Sequence, residues 1–443
     1  MTEFLIFAHG VGGRLDLPLS EWQVAWAAAV ALIFSFAALG YFWHKPLLKK
    51  LSVGHPIFSV SKQVGLLKTI FRSISLVLFL VVVIAGFIGQ DNTVANLAPI
   101  TVFVVFWIGV AFASAVFGHI WRNLSPWETL GNFVDRIRGE DQRDDSPPNW
   151  LTSGWSALLP ISVFHWFELA YHDGASPRVL GWWISIYTIG LMVIAWKWGW
   201  SQARKAEGFD VLFSALAELS PFKVRENGPQ KSKKMFIRVP FVGVSNYEMT
   251  SAQLAVVLAA LGGTAFDGFS RTRFWGEMIV GRTKWELTLV NTIGLIWIVA
   301  LVGVAYHLAG KLGSRTTGDP KFSERFGASL IPILFGYDLA HYFSLLLLEG
   351  QAFKVLISDP FGKGWDIFGT ATDPINWTLI STGTIGWVQL ISIVGGHLIG
   401  VLVSHDRGVE KFQLKEAMRS PVSYTHLRAH ETSLHLVCRL LLE

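Results

Sequence analysis

Apolar residues occur along the chain in runs of about 20, which is the length a helix needs to cross the hydrocarbon core of a bilayer. Nine such runs are predicted, at Trp22–Trp43, Thr69–Ile88, Leu97–Gly118, Leu151–Tyr171, Leu180–Trp198, Ser251–Phe266, Trp285–Leu308, Gly327–Glu349 and Trp377–Val403. The strict alternation that is typical of membrane β-barrels is missing from them. The pattern therefore predicts an all-α, polytopic transmembrane helix bundle, with residues 1–419 as one domain.

Composition supports the membrane class. Of the 443 residues, 51% are apolar and 16% are charged, whereas soluble domains carry about 25% charged residues. The single cysteine, Cys438, excludes a disulfide framework, a cysteine-based zinc site and a cysteine nucleophile. The net charge of +5 is small, and no nucleic-acid partner is predicted from it.

Lysine and arginine are distributed unequally between the predicted loops. The loops on one side of the membrane carry 26 of them and the loops on the other side carry 8. Because positive residues accumulate on the cytoplasmic side, the N-terminus is predicted outside and the end of the ninth span inside, in the cytoplasmic (inner) membrane. The lipid bilayer is the partner this implies, and a protein partner or homo-oligomer is left open.

Two segments depart from this pattern. The stretch "FDVLFSALAELSPF" (209–222) lies in the largest cytoplasmic loop, has helical apolar spacing and is expected to lie on the membrane surface. The last residues, "SPVSYTHLRAHETSLHLVCRLLLE" (420–443), resemble a translated sequencing adapter and are interpreted as a non-native tail. The natural chain is therefore expected to continue past Arg419, which leaves room for a further span.

Ionisable residues inside the predicted spans are the first candidates for function, because a charge in a bilayer is costly unless it is paired or hydrated. Asp338 and His341, in "FGYDLAHYFSLLLLEG", lie one turn apart on one face of the eighth span. Two interpretations are open. They form polar contacts that hold helices together, or they line a cavity as a proton relay, a substrate anchor or metal ligands.

The fourth span ends in "HWFELAYHD", which places His165, Glu168 and His172 on one helical face. A carboxylate and two imidazoles are suitable ligands for a divalent metal, although their order differs from the HExxH pattern of zinc proteases. A proton or substrate role and a purely structural role are the alternatives. At 1.5 Å per residue, His165 and His341 both lie roughly 10 Å below the outer surface. An outward-facing site is therefore predicted if the fourth and eighth spans are neighbours.

The outer loops combine acidic, basic, glycine and aromatic residues, as binding loops often do. From "FDGFSRTRFWGE" and "SDPFGKGWDIFGTATDP" we select Asp267, Arg271, Asp359 and Trp365 as substrate-binding candidates. Arg14 and Asp16 of the first outer loop are further candidates for such a pocket. Ordinary interfacial packing is the alternative for all of these loops.

The ninth span contains "GGHLIGVLVSHDRG". Gly396 and Gly400 form a GxxxG motif that permits close helix contact. His397 beside them and His405 at the cytoplasmic end are interpreted as structural polar residues.

Three stretches, "AHGVGGRLDLPLSEWQVAWAAAV", "SDPFGKGWDIFGTA" and "GGHLIGVLVSHDRG", resemble a family of polytopic bacterial and archaeal membrane proteins. Some members of this family are labelled fenitrothion hydrolase, and the resemblance covers about residues 5–412. It implies a membrane-embedded hydrolase of organophosphorus or other apolar esters. Such hydrolysis usually uses a metal-bound hydroxide. The available ligands are His165, Glu168, Asp338 and His341, with Asp338, His341 and Glu168 as the catalytic groups.

Two other functions fit the same residues. Buried acids and histidines are typical of proton-linked transporters or channels for small solutes, although no inverted repeat is visible. A scaffold or assembly subunit would use the outer loops as a docking surface. The sequence predicts a membrane protein and leaves hydrolase, transporter and scaffold as three hypotheses.

Overall fold

The structure is a computed structural model that describes residues 35, 39, 41, 43–59, 62–139, 146–227 and 232–411. Most of the described residues are helical. Most of the predicted first span, the candidates Arg14 and Asp16, and the tail from Ser420 lie outside the described residues.

The α-helices define most of the architecture. In chain order they are α1 (Leu48–Leu51), α2 (Lys62–Ile88), α3 (Leu97–Pro99), α4 (Ala111–Phe117), α5 (Trp121–Leu124), α6 (Pro126–Arg138), α7 (Asn149–Thr152), α8 (Leu158–Leu169), α9 (Pro177–Trp198), α10 (Trp200–Ala203), α11 (Gly208–Leu216), α12 (Ser251–Ser270), α13 (Arg273–Ile279), α14 (Lys284–Thr317), α15 (Phe322–Gly327), α16 (Leu330–Leu348), α17 (Ala352–Leu356) and α18 (Thr382–Lys411). A π-helical segment, Ile100–Val110, joins α3 to α4.

Seven helical segments of the described chain are long and apolar enough to cross a membrane. They are Gly65–Ile88, Leu97–Phe117, Pro177–Trp198, Ser251–Ser270, Lys284–Thr317, Phe322–Leu356 and Thr382–Lys411. Each coincides with one of the predicted spans, namely the second, third and fifth to ninth. The protein is therefore a multi-pass membrane protein, and the lipid bilayer is the medium that its apolar helix surfaces require.

The predicted fourth span, Leu151–Tyr171, is not one continuous helix. Helix α7 ends at Thr152, Gly154 takes a left-handed conformation with φ +79°, and α8 has only 12 residues. The Trp150 ring packs against the end of α9, and the Tyr171 ring packs against the start of α14. This segment therefore enters the bundle with a short helix that buries Phe164 and His165 and leaves Leu159 exposed.

The predicted surface helix at 209–222 is also different. Helix α11 covers residues 208–216, and the Glu207 carboxylate caps its first turn by accepting a hydrogen bond of 2.8 Å from the Asp210 amide. Phe209 and Phe213 have no exposed surface. Its apolar residues contact helices on several sides, so α11 is a buried core helix and not a surface helix.

Three short strands, which the all-α prediction omitted, form one antiparallel sheet. They are β1 (His55–Ser59), β2 (Phe222–Asn227) and β3 (Ser232–Ile237), in the order β1–β3–β2. Strand β1 comes from the loop after the first predicted span, and the hairpin β2–β3 comes from the loop after the fifth. Their pairing shows that these two basic loops lie on the same side of the molecule.

Helices α16 and α18 pack closely through glycines. A Cβ atom on Gly396 would lie 2.6 Å from the Pro332 carbonyl oxygen, and one on Gly400 would lie 2.7 Å from the Ser329 carbonyl oxygen. The close contact predicted for the GxxxG motif is confirmed. It fixes the position of α16, which carries the two ionisable residues of the eighth span.

Candidate functional site

Three carboxylates from three helices meet inside the bundle. Glu168 lies at the end of α8, Asp267 near the end of α12 and Asp338 in the middle of α16. We call these three residues the acidic cluster. All three are close enough to interact electrostatically with one another. The sequence predicted an outward-facing site between the fourth and eighth spans, and in the structure α12 contributes the third carboxylate.

Asp267 is the centre of the cluster and has no exposed surface. Its Oδ2 atom lies 2.6 Å from His341 Nε2 and accepts a hydrogen bond of 3.1 Å from the Tyr342 hydroxyl. Arg271, one turn further along α12, places its Nε atom 3.5 Å from Asp267 Oδ1. The sequence placed Asp267 and Arg271 in an outer loop, whereas both belong to the cluster and its immediate surroundings.

Two parallel contacts join α16 to α12. The Thr264 hydroxyl donates a hydrogen bond of 2.9 Å to Asp338, and Asp267 pairs with His341 as described above. On each helix the two residues are three positions apart and therefore lie on one face. The i, i+3 spacing of Asp338 and His341 thus matches a second i, i+3 pair on the neighbouring helix.

Tyr342 connects the acids of α12 and α8. Its hydroxyl lies 3.5 Å from Glu168 Oε1 and 3.1 Å from Asp267 Oδ2. The other Glu168 oxygen, Oε2, is buried without a hydrogen-bond partner. A hydroxyl can donate one hydrogen bond and accept others, so Tyr342 is placed to relay a proton between the two carboxyl groups.

His165 and His172, which were predicted to share one helical face with Glu168, make other contacts. His165 places Nδ1 2.8 Å from the Ile161 carbonyl oxygen of its own helix, and its ring fills the space that a side chain on Gly263 would occupy. His172 is held by Thr288 at the start of α14, with 2.8 Å between Nδ1 and the hydroxyl oxygen. Glu168 alone of the three joins the cluster.

The predicted metal ligands do not form a metal centre in the described part of the chain. Among those residues, no group of three or more His, Cys, Asp or Glu side chains is arranged to hold a metal ion. His341 uses Nε2 for Asp267, and the His165 ring lies against Gly263. Of the four predicted ligands, Glu168 and Asp338 belong to the acidic cluster and His341 contacts it. His165 instead packs against Gly263.

A small cavity borders the cluster. It has a volume of about 10 Å³, which is room for one water molecule. Its lining residues are Trp107, Ile108, Ala111, Phe112, Leu212, Leu216, Asp338 and Tyr342. Asp338 and Tyr342 are thus the polar groups that a water molecule there would meet, and α11 supplies part of the apolar wall.

The remaining predicted binding residues lie in the loop after α17. Asp359 accepts hydrogen bonds of 2.8 and 2.7 Å from the amides of Lys363 and Gly364 and so fixes a turn. Trp365 is half-exposed and packs edge-on against Phe361. Both residues shape this loop, and their contacts are local.

At the other end of the bundle, His397 and His405 make contacts of a structural kind. His397 Nδ1 lies 2.7 Å from the Ile393 carbonyl oxygen, and His405 Nε2 lies 3.0 Å from the Trp43 carbonyl oxygen. The neighbouring Asp406, which the sequence analysis did not select, accepts a 2.9 Å hydrogen bond from the Trp43 indole. The contacts of His405 and Asp406 with Trp43 attach α18 to the segment before α1.

Comparison with known proteins gives no relative for this chain. No family model matches it, and neither a curated protein nor a solved structure matches it. The resemblance to proteins labelled fenitrothion hydrolase stays a prediction, and the function has to be inferred from the geometry of the acidic cluster.

Proposed function

We propose that the protein is a proton-linked transporter of small solutes, with Glu168, Asp267 and Asp338 as its proton-binding groups. The observation that carries this proposal is the acidic cluster itself, in which three carboxyl groups from three helices lie within electrostatic range of one another, and which contacts the Tyr342 hydroxyl and the His341 imidazole. Arg271 is the one permanent cation among the described residues that contact it.

The position of the cluster matters because its three carboxyl groups lie inside the membrane bundle. An unpaired charge is costly there, and removing charges from water is repaid only by well-placed counter-charges. Carboxyl groups held this close repel one another when ionised, and uptake of a proton by one of them relieves that repulsion. Binding and release of that proton is the event that a transporter couples to movement of a solute.

The contacts within the cluster supply a route for the proton. Tyr342 bridges Glu168 and Asp267, and His341 extends the path from Asp267 along α16. Asp338 and the same Tyr342 hydroxyl border the cavity that has room for one water molecule. Each step thus joins groups that both donate and accept protons.

The test is a pH-jump experiment on proteoliposomes adsorbed to a solid-supported membrane. Proton binding within the membrane produces a transient current even when the solute is unknown. We expect Asp338→Asn and Glu168→Gln to lower the displaced charge, and Asp366→Asn in the exposed outer loop to leave it unchanged. Absence of a current in the wild-type protein, or equal currents in all variants, contradicts the proposal. Gel filtration of each variant checks that it is folded.

Ester hydrolysis, which the family resemblance implies, is the second hypothesis to measure on the same preparation. Asp338, His341 and Glu168 are chemically able to act as general acid and base. The cavity beside Asp338 has room for one water molecule and not for an aryl ester, so hydrolysis at Asp338 would need a larger pocket than this cavity provides. We therefore expect no turnover of an aryl phosphorothioate, with or without added divalent metal. Turnover that Asp338→Asn abolishes would favour the hydrolase instead.

A further inference from the structure

The three-stranded sheet has two unlike faces. In its register Phe58 and Val224 are both partners of Met235, and Phe222 is a partner of Ile237. Cross-strand partners project from the same face of a sheet, and alternate residues of a strand share a face. These five residues therefore form one apolar surface, which we call the apolar sheet face.

The opposite face packs on the protein through basic residues of β2 and β3, whereas Lys233, two residues before Met235, lies at the end of the apolar sheet face. Arg225 and Lys234 are partners there, and Arg225 donates a hydrogen bond of 2.9 Å to the Ser52 carbonyl oxygen. Lys223, on the same face, pairs with Glu218. The basic side of the sheet is thus occupied by contacts with the bundle, and the apolar side is turned away from it.

The apolar sheet face is exposed to an unusual degree. Phe58 is 51% exposed, Val224 48% and Ile237 43%. Ile57, at the bulge of β1, and Val239, just after β3, are about half-exposed as well. A sheet in water buries its apolar face and exposes its polar face, so this surface needs an apolar partner.

Exposed apolar side chains also occur on α2, which follows β1 in the chain and is one of the seven apolar helices. Strand β1 ends at Ser59, and α2 begins at Lys62. Leu66 and Ile74 of α2 are 66% and 58% exposed, as expected for side chains that face lipid. Lys68 of α2 lies within electrostatic range of Lys233 in β3, so the sheet lies beside this end of the helix and not beyond it.

We propose that the apolar sheet face lies in the interfacial layer of the membrane, against phospholipid chains of the leaflet where α2 begins. Lys68 and Lys233 then face the phosphate groups of anionic headgroups. Basic residues beside an apolar surface bind anionic leaflets in this way. The lysine-rich loops that contribute the strands are also those predicted to be cytoplasmic. The sheet would thus be a membrane-interface element and not part of a soluble domain.

Site-directed spin labelling tests the position of the sheet. In a Cys438→Ser background, Val224→Cys and Phe58→Cys are labelled in liposomes, and their collisions with oxygen and with a water-soluble nickel chelate are compared. Ile74→Cys is the lipid-facing control and Asp366→Cys the water-facing control. We expect both sheet positions to favour oxygen, as Ile74→Cys does. Preferential collision with nickel would place the face in water, and protection from both reagents would place it under protein. Either result overturns the proposal.

The headgroup contact has its own test. The purified protein is expected to gain thermal stability from added phosphatidylglycerol but not from phosphatidylcholine. The double variant Lys68→Gln, Lys233→Gln should lose this difference between the two lipids, whereas Lys363→Gln in the outer loop should retain it. Equal stabilisation by the two lipids, or an unchanged response of the double variant, would contradict a role for anionic headgroups.

Discussion

Asp267 shows how a single residue holds the candidate site together. It is completely buried and contacts His341, Tyr342 and Arg271. Removing one partner from a buried charged network costs about 3–5 kcal/mol, because the other charges lose their compensation. We expect Asp267→Asn to lower the free energy of unfolding in detergent by about this amount, as measured by denaturant titration.

The matched control for that measurement is Asp366→Asn. Asp366 is exposed, and its side chain caps the Ala371 amide, which an asparagine oxygen can also do. A surface change of this kind is expected to stay within about 0.5 kcal/mol of the wild-type value. If Asp267→Asn is equally mild, Asp267 is not the centre of a charged network.

Glu128, which lies outside the seven apolar helical segments, is expected to make the stability of the protein depend on pH. Burial alone would raise the pKa of this carboxyl, but the hydrogen bond from Trp200 and the charge of Arg204 lower it below its usual 4.5. A lowered pKa in the folded state stabilises the protein above the unfolded-state pKa, and this stabilisation is lost as the pH falls through the folded-state pKa. The wild-type unfolding free energy should therefore decrease on acidification below about pH 4.5.

The variant Glu128→Gln isolates this contribution. It keeps the size of the side chain but loses the ion pair with Arg204, whose Nη2 atom lies 2.6 Å from the carboxylate. It should be less stable than the wild type at neutral pH, and the difference should shrink in acid. Parallel stability curves for the two proteins would show that Glu128 contributes no pH dependence.

At the scale of elements, two neighbouring glycines of α18 differ in their contact with α16. A Cβ on Gly396 would press against the backbone of α16, while a Cβ on its neighbour Gly395 would meet nothing within 4 Å. Overpacking a tight contact costs about 1–3 kcal/mol. We expect Gly396→Ala to lower thermal stability, and Gly395→Ala to be neutral or slightly stabilising because alanine favours helix. Equal effects at both positions would contradict the close packing of these helices.

The elements that the sequence predicts well are those whose environment is lipid. A long apolar run must satisfy its own backbone hydrogen bonds and therefore forms a helix, which is why seven spans coincide with the observed helices. Helix α11 is buried among other helices, and α8 packs on α12 and α11, so their length and position depend on tertiary contacts that a hydrophobicity window does not contain. Strand β1 pairs with β3, which lies about 180 residues further along the chain, and no local pattern specifies that partnership.

The residues of the candidate site could also be predicted only in part from the sequence. Glu168, Asp338 and His341 were found because a charged residue within an apolar run is conspicuous. Asp267 was assigned to a loop because the predicted sixth span ended at Phe266, whereas α12 continues to Ser270. Tyr342 was missed because a tyrosine in an apolar segment carries no such signal, although its hydroxyl joins two of the acids.

The molecule as a whole is asymmetric in charge, and the sheet gives this asymmetry a structural basis. The pairing of β1 with β3 places the loops after the first and fifth predicted spans together. At the opposite end, the Nε atom of Arg178, in the first turn of α9, lies 3.6 Å from Oδ2 of Asp91 in the loop after α2. The loops thus group into two ends of the bundle, and the lysine-rich end is predicted to be cytoplasmic.

This orientation predicts which residues a membrane-impermeant maleimide reaches in intact cells. In the Cys438→Ser background, Lys363→Cys in the exposed outer loop should react before lysis, and Lys50→Cys in α1 only after lysis. Both side chains are exposed, so a difference in labelling reports the side of the membrane and not burial. The reverse order of labelling would place the basic end outside. The sheet would then meet the outer leaflet, and the carboxyl groups of the acidic cluster would be reached from the cytoplasm.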